Sequence, residues 1–386
     1  MGLTIAVGAA DAGHSVVGFD VNESLVNQLN LGYSHIEGIT DAAIMGFIAK
    51  GSYKASSEAS VIEGSDVIVI AVPTPLDEKR NPDLSYVHAA AELINQNVQT
   101  PALIINESTS YPGTLRNEIA SRVSVVEHLF ASSPERVDPG NTQWGTKNTP
   151  RLIGGLTPAA VAKAREFYST FCDSIIEVSS PEVAEAAKIF ENTFRQVNIA
   201  LVNEFAQISD ALGISSREVI EAAATKPYGF MTFNPGPGVG GHCIPVDPSY
   251  LAHVANEVGV PATFIKRANE VNLAMPAYVV KRVVVGAGGS IAGKSVVVVG
   301  VSYKANVADT RETPAVAVID LLREQGAIVV WHDDLVGNWR GETSAPLTAH
   351  DIAVVVTKHD GVSDAAIKAS GYVFDCTGTI AGAEGI

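Results

Sequence analysis

Cysteine is scarce. Cys172, Cys243 and Cys376 are the only three in 386 residues, too few and too scattered for a disulfide framework or a zinc site. No metal centre is expected, and a catalytic role for one thiol stays open. Long apolar runs are missing too: none approaches the roughly 18 to 20 residues that a membrane span needs. The opening stretch MGLTIAVGAADAGHSVV has no basic segment ahead of its apolar residues, so a secretory signal is not expected and the cytoplasm is the expected location. Basic residues are outnumbered, 26 Lys and Arg against 42 Asp and Glu, for a net charge of −16. A surface of that sign is repelled by DNA and by anionic membranes, so neither is expected as a partner, and a polyanionic substrate needs local cations to hold it. The remainder is ordinary for a globular protein, 46% apolar and 18% charged, in a chain long enough for two or three domains with substantial cores.

The first stretch alternates apolar strands with amphipathic segments. Ser15 to Asp20, Asp66 to Val72 and Leu103 to Asn106 each read as buried strands ending in polar or turn residues, the pattern of a parallel α/β sheet. From about Pro181 the period becomes helical, with a run from Ala184 to Leu212 free of Pro and Gly. A loop dense in Gly and Pro follows at Asn234 to Pro248. A second helical stretch, Ser249 to Val285, is expected to be interrupted at Gly259, Pro261 and Pro276. The βα pattern restarts at Ser295 with SVVVVG, a helix over Pro314 to Gln325, and the strands AIVVWHD, AVVV and YVFDC. The expectation is α/β, with two Rossmann-like parallel-sheet domains (1–178 and 289–386) joined by a central helical domain (179–288). No low-complexity segment or short repeat is visible.

The segment AGHSVVGFDVN reads as the second strand of a nucleotide-binding βαβ unit. It ends in Asp20, whose carboxylate can take the adenosine ribose hydroxyls and so favours NAD over NADP. Taken alone, an acid at a strand end is unremarkable. A full fingerprint needs a strand and G-x-G-x-x-G before the preceding helix. Gly2 fits the third glycine and Thr4 to Ala12 the helix, so the first strand and first two glycines are expected upstream of Met1. Without that strand, backbone groups on both neighbours would be exposed, and NAD affinity and stability would both suffer. A second nucleotide motif is a decoy. Gly288 to Ser295, GGSIAGKS, matches the phosphate-loop pattern letter for letter. A phosphate loop follows a strand and opens a helix, whereas here helical sequence precedes it and a strand follows, so a domain linker is expected.

The most informative stretch is Asn234-Pro-Gly-Pro-Gly-Val-Gly-Gly-His-Cys-Ile-Pro-Val-Asp-Pro248. A lone cysteine is usually a small core residue. Here the glycines allow close backbone approach to a ligand, and they flank one thiol, Cys243, with Asp247 four residues on.

This loop resembles the catalytic-cysteine loop of the UDP-glucose/GDP-mannose dehydrogenase family. VPTP at Val72 to Pro75, ESTSYPGT at Glu107 to Thr114, SPERVDPGN at Ser133 to Asn141, AAKIFENTFRQVNIALVNE at Ala186 to Glu204 and SYKANVADTRETPA at Ser302 to Ala315 resemble further motifs of that family, in the same order. The resemblance spans nearly the whole chain. It implies an NAD-dependent four-electron oxidation of a nucleotide sugar's CH₂OH to a carboxylate through a thiohemiacetal and a thioester on Cys243.

Lys188 and Asn192 are implied beside the reacting oxygen, one helical turn apart. Glu135, Asp247 and Thr109 are implied in proton transfer and in ordering the hydrolytic water. For the cofactor the resemblance implies Gly2, Asp20, Val72, Pro73, Thr74, Glu107, Ser108 and Thr109. For the substrate it implies Glu135, Arg136, Lys188, Asn192, Gly240, Arg311 and, less securely, Lys304; a guanidinium suits a diphosphate or uronate oxygen. Both of these last two cations could instead be plain surface charges. His242 neighbours the thiol, but the sequence does not show its side chain facing Cys243, and it is not counted in the catalytic set.

UDP-glucose enzymes of this family often have a lysine before the loop aspartate, where this chain has Val246. That departure resembles the branch acting on UDP-N-acetylmannosamine and UDP-N-acetylglucosamine. UDP-glucose and GDP-mannose are the alternatives. The ending YVFDCTG also departs from the family pattern, which leaves the last strand's part in the site open. Two rivals come from other classes. A nucleotide-sugar-binding protein without catalysis predicts UDP-sugar binding and no NADH, and a two-electron hydroxyacid dehydrogenase predicts one NADH and no need of a thiol. The middle helices resemble the family's dimer-forming region, so a homo-oligomer, dimer or larger, is expected. The product would feed surface polysaccharide synthesis.

Overall fold

The computed structural model describes residues 2–36, 38–138, 141, 143–241 and 243–386. The chain divides into two compact units, Met1–Glu191 with Ser249–Val258, and Asn192–Pro248 with Gly259–Ile386.

In the first unit α1 (Gly2–Asp11), α2 (Glu23–Asn30) and α3 (Asp41–Ala49) accompany a parallel pair, β1 (Val16–Phe19) and β2 (Tyr53–Ser56). Their shared core is Leu3, Val26, Leu29, Ile44, Tyr53 and Ala55. Asn22 and Thr40 start α2 and α3, their side chains accepting from the backbone N–H groups of Leu25 and Ala43. A five-stranded sheet follows from β3 (Val67–Ile70), β4 (Leu103–Asn106), β5 (Leu129–Ser132), β6 (Arg151–Gly155) and β7 (Ile175–Glu177), paired in that order, with α4 (Ser85–Asn97) between β3 and β4 and α5 (Pro158–Tyr168) between β6 and β7. Among the described residues β1 pairs only with β2 and β3 only with β4, so each keeps one edge without a strand partner. The expected parallel order holds except between β5 and β6, which run antiparallel. The connection over 133–150 carries no crossover helix among its described residues, and a parallel return generally needs one.

The helix α6 (Pro181–Leu212) continues from the first unit into the second. It is followed by α7 (Ser216–Ala224), α8 (Asp247–Glu257) and α9 (Thr263–Gly286). The chain breaks between α8 and α9 near Gly259 and Pro261, as the sequence predicts, but not at Pro276, which lies inside α9. Met275 and Val279 beside it are fully buried, and their packing outweighs the hydrogen bond that proline removes.

The second unit's sheet has β8 (Ser295–Val299), α10 (Ala315–Glu324), β9 (Ile328–His332), a short hairpin of β10 (Asn338–Trp339) and β11 (Glu342–Thr343), β12 (Ile352–Val355), α11 (Asp364–Lys368), β13 (Tyr372–Asp375) and β14 (Glu384–Gly385). It is parallel throughout in the order β14-β13-β12-β8-β9. Val296 and Val298 of β8 join one core cluster and Val297 and Val299 another, the period-two split of a strand covered on both faces. Each such valine contributes about 1.5–3 kcal/mol of burial. The phosphate-loop look-alike joins α9 to β8, and the Lys294 ammonium donates to the Ala287 carbonyl at 2.7 Å, closing a helix end instead of awaiting a phosphate.

Two glycines test how tightly the second sheet is built. Gly293 (φ +74°) has open space where a Cβ would go, whereas at Gly300 (φ +84°) a Cβ would lie 1.9 Å from the Thr357 carbonyl oxygen. Thermal unfolding should show Gly293→Ala losing about 1 kcal/mol and Gly300→Ala about 3 kcal/mol or more. Equal losses would mean that β8 and β12 do not meet this closely.

Candidate active site

The cofactor residues expected from the sequence lie after the carboxyl ends of three strands in the first unit, apart from Gly2, which opens α1; open α/β sheets bind ligands at such ends. Asp20 follows β1. It is half-buried, and its Oδ1 accepts from the Asn22 amide at 2.8 Å. Half-buried Val72, exposed Pro73 and buried Thr74 follow β3, and the Val72 amide donates to Ser108 Oγ at 2.9 Å. Ser108 and Thr109, both buried, follow β4. Gly2 opens α1 with its Cβ position 3.5 Å from the Ala71 side chain, which brings a helix N-terminus beside the end of β3. A half-exposed acid, a helix start and a short backbone turn fit the ribose and pyrophosphate of a dinucleotide.

Glu107 stands apart from that set. Its carboxylate is completely buried, and its amide donates to the Ile70 carbonyl at 2.9 Å. Its Oε1 accepts from Arg151 at 2.7 Å and from the Tyr168 hydroxyl. The same guanidinium donates to Glu135 Oε2 at 2.8 Å and stacks 4.5 Å over the Tyr168 ring. One buried cation thus serves two buried carboxylates.

The carboxylates divide unequally. Glu135 also takes the amides of Arg136 and Val137, at 2.7 and 2.9 Å; burial opposes its charge, yet Arg151 and these amides together hold it below the ordinary range. Burial dominates at Glu107 and pushes it up to about 7, despite Arg151. Glu107 Oε2 is buried without a hydrogen-bond partner. A second buried acid, Glu185 on α6, accepts from the amides of Gly113 and Leu115 at 2.7 and 2.9 Å, and burial raises it to about 8. It ties the segment after Thr109 to the helix that carries Lys188 one turn later. Lys188 is 8% exposed, and Arg136 is spent on Glu191 (2.6 Å) and the Pro150 carbonyl (2.8 Å).

The second unit brings the rest together. Asn192 Nδ2 donates to Asp247 Oδ2 at 2.5 Å, and the Asp247 amide donates to the Cys243 carbonyl at 2.8 Å. The carboxylate that opens α8 therefore joins α6 to the thiol's own turn. Cys243 is exposed, unlike Cys172 and Cys376. The glycines before it pack on the segment carrying Lys304 and Arg311. A Cβ at Gly240 would lie 2.7 Å from Tyr303 Cβ, and one at Gly241 (φ +85°) 2.8 Å from the Tyr303 ring, while the Gly241 amide donates to the Arg311 carbonyl at 3.0 Å. Arg311 forks onto Asp309 at 2.5 Å with its side chain 63% exposed. Its hydrogen bonds to Asp309 chiefly raise its pKa, against the opposing effect of burial. Lys304 is half-buried on the same segment. His242 lies outside the described residues.

Models of the UDP-glucose/GDP-mannose dehydrogenase family match this chain in three stretches: its NAD binding domain over residues 1–172, its central domain over 182–274 and its UDP binding domain over 297–381. The UDP-N-acetyl-D-mannosamine dehydrogenase of Methanococcus maripaludis is 37% identical over 370 residues, 93% of this chain and 84% of that protein. An NDP-N-acetyl-D-galactosaminuronic acid dehydrogenase of Ralstonia nicotianae is 33% identical over 393 residues, with 93% and 88% covered. Among solved structures, the UDP-D-ManNAc dehydrogenase of Pyrococcus horikoshii aligns at a TM-score of 0.90 and 31% identity, covering 100% of this chain and 96% of that one. The chain belongs to the UDP-glucose/GDP-mannose dehydrogenase family.

Membership makes it an NAD-dependent nucleotide-sugar dehydrogenase, with NAD as the cofactor of the N-terminal lobe. Sequence reasoning passed over three residues of this dehydrogenase: Arg151, Tyr168 and Glu185. Arg151 carried a usable signal, a cation opening the apolar strand RLIGG. Nothing marked Glu185 as buried within a helix rich in acids.

The raised pKa of Glu107 has a consequence for stability. In the unfolded chain it titrates at 4.5 and in the fold at about 7, so the folded state binds the proton more tightly. Its contribution is whole below pH 4.5 and is lost as the pH rises through about 7. Glu107→Gln, a neutral isostere, should decline less steeply in melting temperature over this interval than the wild type, keeping only the decline that Glu185, raised to about 8, contributes to both. Parallel melting curves across the pH series would show that Glu107 does not titrate there.

Proposed function

We propose that this dehydrogenase oxidises the C6 hydroxymethyl group of a UDP-N-acetylhexosamine, UDP-N-acetylmannosamine or UDP-N-acetylglucosamine, to the uronate in two NAD-dependent steps through a covalent intermediate on Cys243. The observation that carries it is the joining of Asn192, Asp247 and the Cys243 turn by consecutive hydrogen bonds, on a loop locked against the Arg311 segment. Val246 beside Asp247 is 7% exposed; an apolar residue there, in place of lysine, supports the N-acetylhexosamine branch. We divide the work among three domains, 1–178 for NAD, 179–288 for catalysis and assembly, and 289–386 for the nucleotide.

NAD, held by the residues after β1, β3 and β4, would supply the hydride acceptor for each oxidation. The chain's own groups do the rest. As the hydroxyl loses its proton, the Lys188 ammonium and the Asn192 amide stabilise the alkoxide. The Cys243 thiolate adds to the aldehyde carbon, forming a C–S bond and a new oxyanion while keeping the C–H that the second oxidation removes. The thioester that results is opened by water, with the sulfur leaving as thiolate. Glu135, held ionised by Arg151, and Asp247 order that water and take its proton, with Thr109 nearby. The balance is one alcohol and one water consumed, with one carboxylate, two NADH and three protons released.

The test is NADH formed per sugar consumed on a panel of UDP-N-acetylmannosamine, UDP-N-acetylglucosamine, UDP-glucose and GDP-mannose. Two NADH are expected from one of the N-acetylhexosamines, with the rate in Cys243→Ser down by about a thousandfold or more. One NADH with an active serine variant would support the two-electron hydroxyacid type of chemistry. UDP-sugar binding without any NADH would support a non-catalytic binding protein.

We also infer a homo-oligomer working in the cytoplasm. No helix among the described residues is long and apolar enough to cross a membrane. On α6, Phe190, Phe194, Leu201, Ile208 and Leu212 are 64, 42, 63, 49 and 67% exposed, at spacings of four and seven residues that line one helix face. Such a stripe is covered in a working protein, and a second copy is the partner that the family implies. Light scattering should show Leu201→Glu at a lower mass than the wild type; identical masses would remove this face from the interface.

A further inference from the structure

In the second unit, the turn after β8 is held by a buried cluster outside the expected site. Asp333 ends β9, as Asp20 ends β1, but turns inward, 4% exposed. Its Oδ2 accepts from the Val301 amide (2.9 Å), the Ser302 amide (3.2 Å) and Ser302 Oγ (3.2 Å). Its Oδ1 accepts from the Leu335 and Val336 amides at 2.9 and 3.0 Å and lies 2.9 Å from His359 Nε2. These donors hold Asp333 far below the ordinary carboxylate range against its burial.

The ring of His359, 3% exposed, bridges to the next part of the segment. Its Nδ1 lies 2.8 Å from the Asn306 amide. A backbone amide only donates, so Nδ1 is the lone-pair nitrogen and Nε2 carries the proton directed at Asp333. Asn306 itself is in the left-handed region (φ +62°), uncommon for a residue with a side chain, and its amide group exchanges two hydrogen bonds with Asp360, at 2.9 and 3.0 Å. The Tyr303 amide closes the loop on the Asp309 carbonyl at 2.9 Å.

Serine, histidine and aspartate in contact suggest a hydrolytic triad, but the geometry excludes it. Ser302 Oγ and Asp333 Oδ1 both approach Nε2, whereas a triad places serine and carboxylate on opposite ring nitrogens. Ser302 is also fully buried.

We propose that His359 is a positioning residue for nucleotide binding: with Asp333 it latches segment 302–311 in the conformation that presents Lys304 and Arg311 to the diphosphate. This rests on the assignment of residues 297–381 to the UDP moiety. The latch acts through the main chain, at Ser302 and at Asn306, and so fixes where the two cations start from without touching the ligand. It also accounts for the fate of the acid at the end of β9. In the first unit Asp20 stays half-exposed for a ribose; here the carboxylate is consumed by the turn that would otherwise cradle a second dinucleotide.

Calorimetric titration with UDP, and separately with NAD, tests the latch in the full-length protein. His359→Asn keeps an acceptor near the Nδ1 position and should bind UDP close to wild type. His359→Gln loses that acceptor and should bind UDP about tenfold more weakly, the worth of one buried hydrogen bond, with NAD affinity unchanged. Wild-type UDP affinity in His359→Gln would overturn the proposal, as would a parallel fall of UDP and NAD affinity, the mark of general loosening. If the wild-type protein takes no UDP, the assignment of this unit to the nucleotide fails, and hydrogen exchange still decides the latch. Faster exchange of amides 303–309 in His359→Gln upholds it, and unchanged exchange removes it.

Discussion

Gly240 and Gly241 bring the main chain of the thiol loop so close to Tyr303 that a methyl group at either position would lie under 3 Å from it. No side chain larger than hydrogen can occupy that contact without moving one of the two segments. Much of the second unit's proposed chemistry hangs on it. The Gly241 amide reaches the Arg311 carbonyl, and the turn carrying Cys243 leads into Asp247 and through it to Asn192. Its four glycines leave this loop many conformations to lose, so its position is set by what it leans on.

The buried charges obey a different constraint. One guanidinium between two carboxylates leaves a net negative charge in a largely buried cluster, which is costly. Extra amides go to Glu135, so Glu135 keeps its charge and Glu107 is the group that gains a proton near neutrality. This ordering suits the proposed chemistry, in which an ionised Glu135 faces reacting water while its neighbour absorbs the electrostatic strain. Glu185 follows the same logic where no cation is bonded to it: two backbone amides satisfy its oxygens, but burial prevails and its pKa rises to about 8. Hydrogen bonds and ion pairs are thus distributed by which carboxylate must stay charged.

Periodicity alone locates β4 at Leu103–Asn106 and most of α6, because a fully buried strand and a long amphipathic helix leave their patterns in the residues themselves. The antiparallel step between β5 and β6 was not legible, since it depends on the absence of a crossover helix in a loop whose composition resembles any other. Pro276 misleads for a related reason: its local cost is visible in sequence, while the packing of Met275 and Val279 that offsets it is not. Among site residues, Cys243 announces itself through its glycines. Arg151 offers only a cation opening an apolar strand, and since a cation is usually solvated it takes the fold to reveal the two acids behind it.

The two sheets raise the same question at corresponding points and answer it in opposite ways. Each has an acid at the carboxyl end of a strand beside the expected nucleotide site, Asp20 after β1 and Asp333 after β9. Asp20 spends one hydrogen bond on its own turn and remains half-exposed. Asp333 spends all its capacity on backbone amides, a serine and a histidine. A carboxylate with open lone pairs can recognise a ribose; one whose lone pairs are filled can only hold the main chain. The two lobes thus differ in whether this acid faces outward or inward, and in the second lobe four backbone amides, Ser302 and His359 together hold it inward.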